Sequence, residues 1–224
     1  MTILAVEDLA GRLAQFLKDG IAPLPEGFFN SFEYTATGKA LTHPIVFGLL
    51  ARFAWGVEGV SHVGLDVALN EGAGVKFKPD VIGYTDSLLP MFILDYESPN
   101  SSDYRVIEKD VDGYIDWRDH MGSTVPYVII TTLPQESSWW ECRWVGKGSY
   151  NHNFKDRRKE WAANPRQFWH SVYAPEFASR SMSNIAVVNI DGKNVTRVFP
   201  EVSDKQCMDQ TQEQTETAGV NTCS

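Results

Sequence analysis

Three carboxylates within one short stretch of the chain have the types and spacing to act together. Asp80 follows Pro79 and opens an apolar run, whereas Asp95 and Glu97 close the next one with Tyr96 between them. Side chains two apart on a strand share a face, so a strand over residues 91–97 points Asp95 and Glu97 the same way. The turn TDSLLP that precedes it is short enough to bring Asp80 alongside. Strands are normally poor in acids, and carboxylates ending two neighbouring strands call for a reason. Convergent carboxylate oxygens make a hard-cation site suited to Mg2+ or Mn2+. Without a cation, like charges this close repel and raise one pKa. The backbone carbonyl of Tyr96, read as pointing to the opposite edge, is a further candidate ligand. The plainer reading makes Asp80 a turn cap and leaves Asp95 and Glu97 facing water.

The elements around these acids follow from periodicity. Ile3, Leu4, Leu9, Leu13, Phe16 and Leu17 recur at helical spacing over residues 3–18. Residues 20–42 carry Gly, Pro and Thr and read as loop with room for a short strand. HPIVFGLLARFAWG (43–56) predicts a buried helix, with Thr42 as N-cap and Pro44 in the first turn. Strand-like runs follow at 61–69, 76–84, 91–97 and 126–132. Between the last two, Val106, Val111, Tyr114, Ile115 and Trp117 fall at helical intervals in a helix capped by Ser102 or Asp103. Short links allow antiparallel neighbours, and a helix between strands is a crossover. The order therefore predicts an α/β core on a mixed central sheet flanked by helices. SSWWECRWVG (137–146) reads as a further strand region and NIAVVNIDGKNVTRVF (184–199) as a hairpin about DGKN. Residues from 201 on are rich in Gln, Thr, Ser and Glu and read as a disordered tail. The expected organisation is a core over 1–135, a C-terminal strand, helix and hairpin extension over 136–200 packed on it, and the tail over 201–224.

This element order, with Pro79-Asp80 and Asp95-Tyr96-Glu97 at its centre, resembles the PD-(D/E)xK, or restriction-endonuclease-like, nuclease superfamily. Residues 61–132 resemble the Uma-type endonucleases in particular. There an acid is followed by a serine-proline pair and a helix bearing a lysine, and Asp95, Ser98-Pro99 and Lys109 occupy those places here. The resemblance covers about residues 30–132, under half the chain. It implies a Mg2+-dependent nuclease in which Asp80, Asp95 and Glu97, with the Tyr96 carbonyl, hold the ion. Glu33 resembles the upstream acid of the family, as a ligand or a support to one. One position departs from the pattern: Glu97 stands where a lysine usually follows the second acid. The resemblance then passes the lysine's role to Lys109, with Lys76 and Lys78 as second choices; the bland alternative is a solvated helix lysine. Asp66 and Glu71 are weaker acid candidates.

Composition bounds the partners. The chain has 224 residues, 43% hydrophobic and 22% charged, with a formal net charge of -9, ordinary for a globular protein and unlike the basic surface of a non-specific nucleic-acid binder. The one dense basic run is Lys155, Arg157, Arg158 and Lys159, flanked by Phe154 and Trp161. Cations there would contact phosphates and the aromatics would stack on unpaired bases, unless the run is simply a solvated helix face. No apolar run is long enough to predict a membrane span, and the acidic N-terminus lacks the basic region of a signal peptide. Three scattered cysteines point to a reducing, cytoplasmic setting. Oligomeric state is open, a homodimer included. The expectation is a metal-dependent endonuclease acting on nucleic acid, DNA first. Its rivals are a catalytically weak or inactive binding module on the same fold, and a metal-dependent hydrolase of another class using the same acids.

Overall fold

A computed structural model of the chain describes residues 4–26, 28–29, 36–69, 77–97, 106–132 and 182–200. The expected segments 137–146, 154–173 and 201–224 lie outside these residues. Helix α1 spans Val6–Ile21 and buries Val6, Leu9, Ala10, Leu13, Leu17 and Ile21 along one stripe. Glu7 and Asp8 in its first turn complement the positive end of the helix dipole.

Helix α2 spans Ala36–Trp55, which corrects the expectation of a helix beginning at residue 43. Thr42 is no N-cap: it lies inside the helix, 1% exposed. Pro44 is likewise interior. It withholds one N–H from the carbonyl four residues earlier, yet the good helix formers Ala36, Lys39, Ala40 and Leu41 carry the helix past it. His43, expected at the helix head, instead sits mid-helix with its ring 5.6 Å from both Phe47 and Tyr96.

Six strands form one mixed sheet in chain order. Strands β1 (His62–Leu65), β2 (Val81–Tyr84) and β3 (Pro90–Glu97) are an antiparallel meander. Gly83 is required within it, because a Cβ there would meet the Phe92 ring at 2.5 Å. Helix α3 (Val106–Met121) then crosses over, so that β4 (Tyr127–Thr132) pairs parallel with β3. Strand β5 (Ile185–Asp191) is parallel to β4, and β6 (Asn194–Phe199) closes the sheet antiparallel to β5. The β5–β6 turn is the predicted one, with Gly192 at φ 60°, a value open to glycine. The hairpin expected in an extension packed on the core thus supplies two strands of the sheet itself.

Helices α1 and α2 cover one face, where Phe92, Leu94, Val128, Ile130, Ala186 and Val188 are buried beneath them. Helix α3 covers the other with Val111, Tyr114 and Trp117 over Ile82, Ile93, Tyr127, Ile129 and Val187. The strand alternation that separates these two sets also sends Asp95 to the α3 face, along with position 97.

Candidate functional site

The acids meet because one strand is shorter than its neighbour. The β2–β3 ladder ends with Val81 opposite Leu94, leaving the next outward N–H of β3, on Tyr96, without a strand beside it. Asp80 fills the gap with its side chain: Oδ2 accepts from the Tyr96 N–H at 2.8 Å. The backbone on either side is fixed as well, since the Asp80 carbonyl accepts from Asp66 N–H at 2.8 Å. A residue in a sheet directs its N–H and C=O to the same neighbour. The Tyr96 carbonyl therefore faces the Asp80 side, which corrects the expectation that it points to the opposite edge.

Asp95 follows from the register of β3. It is 6% exposed, and its Oδ2 accepts a hydrogen bond from the Tyr127 hydroxyl at 3.0 Å. Burial pushes its carboxyl well above the usual carboxylate range, reinforced by the charges of Asp110 and Asp80 and by a hydrogen bond shared with Asp80. The Tyr127 hydroxyl works in the opposite direction. Asp80 and Asp95 are thus brought together at the C-terminal end of β3, close enough for the Asp80 charge to help hold the Asp95 carboxyl above its usual range. A cation there would offset the repulsion between the two carboxylates, so the donor set fits a divalent metal on chemical grounds.

The other predicted residues fare differently. Glu97 is in β3, opposite Thr131, and its side chain lies outside the described part. Among the described residues no group of three or more His, Cys, Asp or Glu could hold a metal ion; what converges is the pair Asp80 and Asp95. Lys109 lies in α3 next to Asp110. The buried stripe of that helix is Asp110, Val111, Tyr114, Trp117 and Arg118, and helical register sets position 109 roughly 140° from its centre. Lys78 pairs with Asp66 at 2.7 Å, both half-exposed or more, an ion pair at the surface. Glu33, Glu71, Lys76 and the basic run Lys155, Arg157, Arg158 and Lys159 lie outside the described residues.

Four buried polar residues on the α3 face of the sheet went unnoticed in the sequence, two of them acting on Asp95. Asp110 is 8% exposed and acts electrostatically on Asp95; its place one turn before Tyr114 was a legible signal. Tyr127 is fully buried. Thr131 and Asn189, each 2% exposed, share a hydrogen bond of 3.0 Å at the ends of β4 and β5. Both interrupt apolar runs at the parity of their strands' α3-facing residues, but only the register shows them side by side. A cleft of about 460 Å³, lined by Arg12, Val57, Glu58, Met91 and Val125 among others, opens at the start of β3. It lies at the other end of the strand from the acids. Open volume alone assigns no reaction, and the acid pair remains the candidate for chemistry.

No family model, curated protein or solved structure matches the chain. Among the described residues, no helix is long and apolar enough to cross a membrane.

Proposed function

We propose that this protein is a divalent-metal-dependent nuclease that hydrolyses phosphodiester bonds, with a restriction-endonuclease-like core and DNA as its first substrate to test. The observation that carries the reading is the convergence of Asp80 and Asp95 at the end of β3, one carboxyl buried and held above its usual range, the other reaching across to the Tyr96 N–H. The element order supports it: a helix, three antiparallel strands, a crossover helix and a parallel strand. That is the order implied by Pro79-Asp80 and Asp95-Tyr96-Glu97 at these positions. Asp80 and Asp95 would hold the ion, with position 97 and the Tyr96 carbonyl on hand to complete its shell. A bound Mg2+ would supply Lewis-acid polarisation of a phosphate and a hydroxide nucleophile at neutral pH. A catalytically inactive binding module is the second reading, favoured by the absence of a lysine at position 97.

Calorimetric titration with Mn2+, paired with cleavage of plasmid and single-stranded DNA in Mg2+, decides between them. The expected result is binding and cleavage in the wild type, both lost in Asp80→Asn. Binding without cleavage of any substrate supports the inactive module. Mn2+ affinity unchanged by Asp80→Asn rejects the site.

A further inference from the structure

The Tyr127 side chain is placed in a way that packing alone does not require. It is fully buried in β4. Its ring stacks on Tyr114 at 4.8 Å between centroids and meets the Phe77 ring edge-on at 5.5 Å. Tyr114 is itself anchored, its hydroxyl donating to the Val125 carbonyl. The backbone is held from both sides, with Tyr127 opposite Ile93 and its N–H bonded to the Asn184 carbonyl at 2.8 Å. A phenol fixed at ring and backbone delivers its hydroxyl to one point, and that point is Oδ2 of Asp95, 3.0 Å away. Phe would fill the same aromatic stack; the hydroxyl is what the stack does not need.

We propose that Tyr127 is a positioning residue for the metal site: by holding Oδ2 of Asp95 it fixes the orientation of the carboxylate that would hold the cation. The inference rests on the reading of Asp80 and Asp95 as metal ligands. A ligand carboxylate left free to rotate in a buried site loses the orientation that its outer partner supplies, and loss of such a partner typically weakens metal affinity about 10–100-fold. Tyr127 touches neither the ion nor the phosphate in this role, so it is not a catalytic residue.

The test is Mn2+ titration calorimetry on the full chain for the wild type, Tyr127→Phe and Tyr114→Phe. Tyr114→Phe removes a buried hydroxyl from the same stack without touching Asp95, and so reports a purely structural effect. The expected result is a dissociation constant raised about tenfold or more in Tyr127→Phe and unchanged in Tyr114→Phe. Equal affinities in Tyr127→Phe and wild type, or equal losses in both variants, overturn the positioning role and leave the metal site standing. A wild type that binds no Mn2+ overturns both. Should Tyr127→Phe fail to fold, Tyr127→Met removes the hydroxyl with a side chain that adapts to irregular space, and it must show the same loss.

Discussion

The two faces of the sheet are built from the same strands and differ in what they bury. Beneath α1 and α2, the strands contribute Phe92, Leu94, Val128, Ile130, Val188 and Ile190 to an almost wholly apolar core. Beneath α3, the same strands contribute Asp95, Thr131 and Asn189, and the helix adds Asp110 and Arg118. Among the described residues, every buried polar or charged side chain from a strand lies on the α3 face. A buried polar group costs free energy unless it is paired, so one face is arranged for packing while the other tolerates that cost. The polar strand residues lie toward the C-terminal ends of β3, β4 and β5, which run parallel, and ligands in open α/β sheets bind at that end. The contrast between the faces points to the same strand ends as the acid spacing does, without drawing on any motif.

The sharpest way to break this contrast is to remove the charge that makes it. Asp95→Asn keeps an acceptor for Tyr127 and removes the ionisable group. In the folded protein the Asp95 carboxyl is held well above the ordinary carboxylate value of 3.8, so the native state binds more protons than the unfolded chain between that value and the raised one. Stability therefore falls as pH rises through this window. The variant should melt at about the wild-type temperature below pH 3.8 and higher than the wild type at pH 8 without metal. At this chain length each kcal/mol recovered corresponds to roughly 2–4 °C. The same variant should bind no Mn2+. Equal melting temperatures at pH 8 would show that Asp95 is not held in an unfavourable charge state.

A smaller effect separates polar residues that serve the site from those that serve the sheet. Thr131 and Asn189 satisfy each other through one hydrogen bond, and no contact with Asp95 follows from it. Asn189→Ala leaves the Thr131 hydroxyl buried without that acceptor, which should cost about 1–3 kcal/mol in urea unfolding. The paired change Thr131→Val with Asn189→Leu removes both partners and should recover most of the loss, a coupling that a double-mutant cycle measures directly. Mn2+ affinity should stay at the wild-type value throughout. A loss of affinity in the paired variant would join these two residues to the metal site.

How much of this was legible in the sequence depends on whether an inference needed local pattern or register. Helix α1, strand β3, the β5–β6 turn and the acid pair all declared themselves through spacing. The start of α2 did not, because Pro44 and the Thr42-His43 pair imitate a helix N-terminus while helix formers upstream carry the chain past them. Asp80's reach to the Tyr96 N–H was hidden, since nothing in the string shows where β2 stops relative to β3. The same holds for Tyr127 and for the Thr131–Asn189 pair: partners on strands distant in sequence are joined only by the pairing of those strands. Asp110 is the exception, since helical spacing alone places it on the Tyr114 face of α3.

Lys109, next to Asp110 in α3, supplies the finest test of the comparison. If the α3 face is polar because the site lies there, a residue of α3 should matter according to the side it presents to the sheet. Position 110 is on the inward stripe and position 109 is roughly 140° away from its centre. A lysine at an outward helix position contributes within about 0.5 kcal/mol to stability. Lys109→Ala should then leave melting temperature and Mn2+ affinity at wild-type values and leave DNA cleavage in Mg2+ within about twofold, less than 0.5 kcal/mol of transition-state stabilisation. The motif-based expectation is the reverse, with cleavage lost and metal binding retained, because a lysine acting on developing phosphate charge affects the chemical step alone. Cleavage abolished in Lys109→Ala with intact Mn2+ binding would show that the four-carbon stem reaches around the helix to the acids, and that helical register is a poor guide to function at this end of α3.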